Sequence, residues 1–158
     1  MSDLIVDVEV EGTKTSKNVE VRSRELAAVL AAIREIGALG EEAHVFERDA
    51  EQELAGDLER RSALAVIVSK CTHVEVTVQF ERESIHRKFS PAATIMRVLK
   101  WAAGSKEFHL DAAAQAKANL ILPGTEEPLA RDSTISRYLV RHDCSLVLDL
   151  TLRDFTNG

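Results

Sequence analysis

The chain has 158 residues, 26 acidic against 20 basic side chains, 45% hydrophobic and 4% aromatic content. That length accommodates one medium domain or two small ones, and the supply of Val, Leu, Ile and Ala excludes a collagenous or mostly disordered chain. A net charge of −6 argues against a general nucleic-acid binder. No apolar stretch reaches the roughly 18–20 residues of a membrane span, and Met1-Ser2-Asp3 opens no signal pattern, so a soluble, cytoplasmic protein without membrane or nucleic-acid partners is expected.

Leu4, Val6, Val8 and Val10 alternate with Asp7, Glu9 and Glu11, the pattern of a half-buried strand, and Gly12 stops it. A polar stretch from Thr13 to Lys17 follows, and Val19 and Val21 resume the period of two, which predicts a hairpin. Ser23 is placed to cap a helix with Glu25 in its first turn. Leu26, Val29, Leu30, Ile33 and Ile36 form its apolar stripe, and Gly37 and Gly40 end it. His44-Val45-Phe46-Glu47, a charged stretch around Asp49 to Arg61 and the apolar run Leu64-Ala65-Val66-Ile67-Val68 complete this half.

The pattern then starts again. Val74, Val76, Val78 and Phe80 alternate with Glu75, Thr77 and Gln79, and a polar turn leads to Ile85 through Phe89. Ser90-Pro91 reads as a helix start. Ile95, Val98, Leu99 and Ala102 form the stripe and Gly104 the stop. The third strand is either Phe108-His109-Leu110 or Leu120-Ile121-Leu122, and Leu146-Val147-Leu148-Asp149-Leu150 is the last. The second copy is the longer, with its extra residues between helix and final strand. This is an internal duplication joined near Ser69 to Thr72. A small mixed sheet crossed by one amphipathic helix buries both apolar faces. The fold class expected is therefore α+β, two tandem β-grasp domains, with the apolar first and last strands of each side by side. The boundaries are 1–70 and 71–152, followed by a flexible tail, 153–158.

Two cysteines, Cys71 and Cys144, belong to no CxxC or Cys/His cluster, and His44, His73, His86, His109 and His142 are scattered singly. Neither a metal site nor a bound cofactor is expected. The cysteines read as buried or half-buried thiols without chemistry, with oxidation between chains through Cys71 as the sharper alternative. His142-Asp143-Cys144 holds the residue types of a thiol-protease site, but neighbours in sequence cannot converge on one substrate atom. Asp57-Leu58-Glu59-Arg60-Arg61 reads as a solvated charged loop. Trp101, one position off the helix stripe, belongs to the core, to an interdomain contact or to a partner surface. Lys14, Lys17, Lys70, Lys88, Lys100, Lys106 and Lys117 serve solubility or chain extension equally well.

The second half resembles ubiquitin. Thr134-Ile135-Ser136-Arg137-Tyr138, the apolar pair Leu139-Val140, a polar turn and Leu146-Val147-Leu148 keep the order of that fold. Thr134 and Ser136 suit a capped tight turn, Ile135 a core position and Tyr138 a place over the loop. Over the first half the resemblance is topological. Two such domains in a chain rich in Ala, Arg, Val and Glu resemble the BilA-type tandem ubiquitin-like modifiers of bacterial antiphage operons. The resemblance implies a modifier attached to target amines, phage structural proteins among them. It also implies three partners: an activating enzyme, a conjugating enzyme and a JAB-type isopeptidase.

A modifier of this kind is a substrate of enzymes and has no catalytic residues of its own. The activating enzyme uses ATP and Mg to adenylate the terminal carboxylate and then captures the acyl group on a cysteine. The resemblance makes Gly158 the acyl donor and Arg153, Asp154, Phe155, Thr156 and Asn157 the enzyme-binding tail. A final glycine leaves a narrow channel unobstructed, although composition alone supplies one in about fourteen chains. The tail departs from ubiquitin, which ends in a glycine pair after two arginines. Thr151 stands for an arginine and Asp149 for an apolar receptor-patch residue, so eukaryotic readers are not expected to recognise it. The alternatives are a non-conjugated adaptor or assembly module and a sulfur-carrier protein, for which one small domain normally suffices.

Overall fold

The computed structural model describes residues 2–141 and 143–153. In chain order these form β1 (Leu4–Val10), β2 (Ser16–Val21), α1 (Leu26–Gly37), β3 (His44–Glu47), β4 (Ala63–Ser69), β5 (Val74–Phe80), β6 (Glu83–Phe89), α2 (Ile95–Ala103), α3 (Ala112–Lys117), β7 (Asn119–Ile121), a 3-10 turn (Ile135–Tyr138) and β8 (Ser145–Thr151). Two four-stranded sheets result, ordered β2-β1-β4-β3 and β6-β5-β8-β7. In each, the first and last strands of the half are parallel neighbours: Val6 pairs with Leu64, and Val76 with Leu146. The other pairings are antiparallel. The duplicated alternation produces this arrangement directly. Leu4, Val6 and Val8 point to the same side as Leu64, Val66 and Val68, and Val29 and Ile33 of α1 close over them. Val74, Val76, Val78, Leu146, Leu148 and Leu150 likewise meet Ile95, Val98, Leu99 and Ala102 of α2. Both halves are β-grasp units.

The helix ends differ from the expectation. Ser23 accepts from the Glu25 amide at 3.1 Å and shapes a turn, while α1 begins at Leu26 with Glu25 at its N-cap, so no acidic residue lies in its first turn. Ser90 likewise turns the chain, accepting from the Ala92 amide at 3.1 Å. The cap of α2 is Thr94, which accepts from the Arg97 amide at 3.3 Å. Serine followed by a polar or proline residue favours such short side-chain turns as readily as caps. At the other end, α1 stops at Ala38 with φ 55°. Gly37 is the last helical residue, and its lack of a Cβ admits Val68, whose Cγ1 would lie 2.9 Å from one.

Between α2 and the last strand, β7 forms at Leu120, and the alternative Phe108 lies in a turn before α3, buried against Phe80 with ring centroids 5.5 Å apart. His109 in that turn has φ 53°, which is incompatible with a strand. The stretch from Asp57 to Arg61 is not wholly solvated: Leu58 is buried in the first core, and Arg61 is bonded to Glu47. Trp101 is half-buried and packs edge-on against Phe89 at 5.4 Å.

The cysteines are not separate thiols. Cys71 and Cys144 form a disulfide within the chain, with Cα atoms 5.7 Å apart. The reason is register. Glu75 stands beside Ser145 in the parallel pair, and its amide donates to the Cys144 carbonyl at 2.9 Å. The residues leading into β5 and β8 are thereby brought together. Both the reading as two inert thiols and the reading as an interchain bridge through Cys71 are corrected. The thiol-protease arrangement also loses its nucleophile, since Cys144 is half of the bridge.

Two stability predictions follow from these contacts. Closing a loop over a sequence separation of 73 residues constrains the unfolded chain by about 4 kcal/mol. Urea unfolding with and without dithiothreitol therefore differs by about that amount, and Cys71→Ser/Cys144→Ser matches the reduced protein. Relieving the left-handed strain at Ala38 with Ala38→Gly raises stability by about 1 kcal/mol, read as a higher urea midpoint at unchanged slope.

Candidate functional site

Of the site residues expected from sequence, Arg153 is the one among the described residues, and it follows the end of β8. Leu146, Leu148 and Leu150 point into the core, so Val147, Asp149 and Thr151 lie on the outer face. Val147 is 42% exposed there. Asp149 is half-buried between Gln79 of β5 and Ile121 of β7, on a face that also carries Thr77. β7 holds β8 to its end through the Asn119–Thr151 pair, and Leu152 packs on the second core. Arg153 is exposed, donates its amide to the Thr151 hydroxyl at 3.1 Å and lies 3.7 Å from Glu126. The remaining tail positions Asp154, Phe155, Thr156, Asn157 and Gly158 lie outside the described residues, as does His142.

Glu126 also borders a cleft of about 660 Å³ to which both halves contribute. Lys14 comes from the first hairpin; Leu122, Leu129, Ser133, Arg137 and Tyr138 come from the second half. The Thr134 to Tyr138 segment forms the 3-10 turn with Ile135 fully buried, as its resemblance implied. The Thr134 side chain does not cap it, however. Its hydroxyl bonds the Ser136 hydroxyl and the Glu9 carboxylate, at 3.0 and 3.2 Å. Of the expected apolar pair, Leu139 is buried and Val140 is 68% exposed.

Glu9 belongs to the other half, and this contact is one of several across the joint. Val45, Val66 and Val68 face α1, so their neighbours Phe46 and Ile67, which are cross-strand partners, face the opposite side. There they are buried to 2% and 1% exposure in a cluster with Ala92 of the second half. Polar groups ring this cluster. The Asp49 amide donates to the Ala92 carbonyl at 2.8 Å, and its carboxylate accepts from the Thr94 amide and hydroxyl at 3.1 and 3.2 Å. Arg97 reaches the Asp49 carboxylate at 3.3 Å, the Asp49 carbonyl and Glu51. Ser90 donates its hydroxyl to the Ala50 carbonyl and its amide to Glu51. Arg48 donates to the Asp132 carbonyl, and Arg137 reaches Glu9 at 3.4 Å.

A further contact requires glycine. The Gly12 amide donates to the Ser136 carbonyl at 2.9 Å with φ +75°, and a Cβ there would meet the Leu139 carbonyl at 3.3 Å. At the joint itself, Glu11 is buried and accepts from the Lys70 amide and from Ser69 at 3.3 Å. None of these roles is marked in sequence. Asp49 and Glu51 look like any charged loop, and Phe46 and Ile67 like any core strand.

Among the described residues no group of three or more His, Cys, Asp or Glu could hold a metal ion, and no helix is long and apolar enough to cross a membrane. A family model for BilA ubiquitin-like domain 2 matches residues 75–153. Among solved structures, the chain is similar to the ubiquitin of Caldiarchaeum subterraneum at 16% identity, covering 53% of this chain and 98% of that one with a TM-score of 0.41. No curated protein matches the chain.

The interdomain contact gives a testable expectation. Phe46 lies outside the core under α1, so Phe46→Ala acts on docking and removes about 3 kcal/mol from it. Residual dipolar couplings from the two halves, which fit one alignment tensor in the parent chain, then require two.

Proposed function

The chain belongs to the BilA ubiquitin-like domain 2 family, and from that membership we propose that it is a protein modifier, joined through Gly158 to amines of target proteins. The observation that carries this reading is the family match over residues 75–153, which runs through the whole last strand to the first tail residue, Arg153. The functional units are a divergent ubiquitin-like domain (1–70), a ubiquitin-like domain (71–152) and a conjugation tail (153–158). The tail is presented to an activating enzyme by Arg153, Asp154, Phe155, Thr156 and Asn157.

The chemistry belongs to the partners, and the modifier itself is not an enzyme. The Gly158 carboxylate attacks the α-phosphorus of ATP, giving an acyl adenylate and pyrophosphate. An enzyme thiolate displaces AMP to form a thioester, and after transfer to a conjugating enzyme a lysine amine displaces that thiolate, leaving an isopeptide. A JAB-type isopeptidase reverses the last bond, and also exposes Gly158 if further residues follow it. The setting we propose is the bacterial cytoplasm during antiphage defence, with phage structural proteins among the targets. Arg153 on the Glu126 rim leaves the chain beside the two-domain cleft, a surface from which an enzyme holding the tail could also sense the first half.

A second reading has its own support. The two halves are docked through a buried cluster and several ion pairs, a construction that suits a non-conjugated adaptor presenting fixed surfaces. Incubation with the activating and conjugating enzymes, ATP and Mg²⁺ distinguishes the two. A thioester sensitive to reductant, followed by an isopeptide at Gly158 in the mass spectrum, is the expected outcome, and Gly158→Glu abolishes both. Unchanged covalent products from that variant would sink the modifier mechanism, and no product from either chain favours the adaptor.

A further inference from the structure

The two halves are joined by four residues, Lys70 to His73, between the end of β4 and the start of β5. Lys70, Thr72 and His73 are exposed, whereas Cys71 is 1% exposed and belongs to the second core. Before Cys71 the chain is tied to the first half. The Lys70 amide donates to the Glu11 carboxylate, and the Ser69 hydroxyl donates to the same group at 3.3 Å. Cys71 itself is tied to the second half by its bond to Cys144, just before β8. Between these two anchors the hinge is a single residue, Lys70.

Opening the bridge lengthens that hinge. An unbridged cysteine is a small side chain, and its burial holds the chain far less firmly than a covalent bond. The next fixed point is Val74, where the β5 ladder begins, so the hinge grows from one residue to four. The docking it maintains has a small apolar part, Phe46, Ile67 and Ala92, ringed by partly solvated ion pairs of modest net strength. A longer hinge lowers the effective concentration of one half at the other, and docking weakens by that factor although every docking group is still present. The second half meanwhile retains its parallel β5–β8 ladder and its own core.

We propose that the Cys71–Cys144 bridge is a redox latch on the joint. Oxidised, it holds the halves docked; reduced by a small thiol such as glutathione, it lets them separate and uncover Phe46 and Ile67 while each half stays folded. The bridge is reachable from one side, since Cys144 is exposed and Cys71 is not. A thiolate therefore attacks the Cys144 sulfur. The S–S bond breaks, its electron pair leaves on the Cys71 sulfur, which takes up a proton, and the attacking thiol remains in a mixed disulfide with Cys144. A second thiolate displaces Cys144, which is protonated in turn, and the two small thiols depart as their disulfide. A small disulfide closes the latch by the reverse steps. The latch uses contacts of the joint alone, so it operates whether or not the chain is conjugated.

The test compares the full chain with the bridge formed and after dithiothreitol. Residual dipolar couplings from the two halves are expected to fit one alignment tensor when oxidised and two when reduced, each half fitting its own, and reoxidation restores one. The Asp49 amide, which bonds the Ala92 carbonyl across the joint, should exchange about tenfold faster in the reduced chain. Cys71→Ser/Cys144→Ser should need two tensors with or without reductant. If that variant fails to fold, the two states of the parent chain still decide. Brief treatment with glutathione should place the adduct on Cys144, read by peptide mass spectrometry. One tensor in both states overturns the proposal, and so does unchanged exchange at Asp49 or an adduct on Cys71. Loss of the second half's dispersed resonances on reduction overturns it as well, because the bridge would then be a staple of the fold and not a latch.

Discussion

The contact on which the rest of the molecule depends is the burial of Phe46 and Ile67 beneath Ala92. A β-grasp sheet has one face committed to its helix, and the other is normally left to solvent or to a receptor. Here the β3–β4 end of the first sheet gives that second face to the other half of the same chain. Apolar burial supplies the non-directional part of the docking. The ring of Glu9, Asp49, Glu51, Arg97 and Arg137 supplies direction, since the ion pairs among these groups form in one relative pose. The charges are only partly withdrawn from water, so their net contribution is small beside that of the cluster. Their value lies in register, which the cluster of three side chains could not impose alone. Any protein that grips the second half therefore meets the first at a set position.

How much of this was legible in the sequence depends on the range of the interaction. Alternation and helical stripes are local, and they located α1, α2, the duplication and every strand but the third of the second half, because the inward-facing Val and Leu residues recur in each half; α3 was missed, since it buries none of its residues and so has no apolar stripe. Caps were less legible. Ser23 and Ser90 have the right chemistry, yet serine bonds its own nearby backbone in turns as well as at helix starts. The third strand of the second half was undecidable from Phe108 and Leu120, both of which are buried. The left-handed backbone at His109 and the pairing of Leu120 with Leu150 separate them. Least legible were contacts far apart in sequence. Nothing about Phe46 distinguishes a side chain aimed at its own helix from one aimed at another domain, apart from a register known only once β3 and β4 are paired. The tail residues that matter most to the conjugation reading were read from resemblance, and Arg153 is the one among them with described contacts.

The disulfide shows the same limit and adds a constraint of its own. Seventy-three residues of separation say nothing about distance; the parallel pairing of β5 and β8 does, because it aligns the residues that precede each strand. The bridge also sits at the joint between halves. Cys71 donates its amide to Ser69, whose hydroxyl and the neighbouring Lys70 amide both serve the buried Glu11 carboxylate. Reduction of the bridge returns the two sulfurs to thiols. The fold then has to keep β5 beside β8 by its ladder and core alone, and the Glu75 amide to Cys144 carbonyl bond is the part of that ladder nearest the sulfurs.

The surfaces left open divide according to what each sheet has already covered. The first sheet has lost its β3–β4 end to the joint and retains Ile5, 50% exposed, near the far end of β1. The second sheet keeps its outer face, where Val147 is flanked by Thr77 and by the carboxylate of Asp149. A receptor for an apolar patch would have to bury that carboxylate, at a cost that rises with desolvation. A partner for this face has to bring a donor to Asp149. The β6 edge on the same sheet is cationic. Asp149 of β8 and Lys88 of β6 lie on that outer face with β5 between them, so one face carries both signs of charge and no single uniformly apolar or singly charged partner matches all of it.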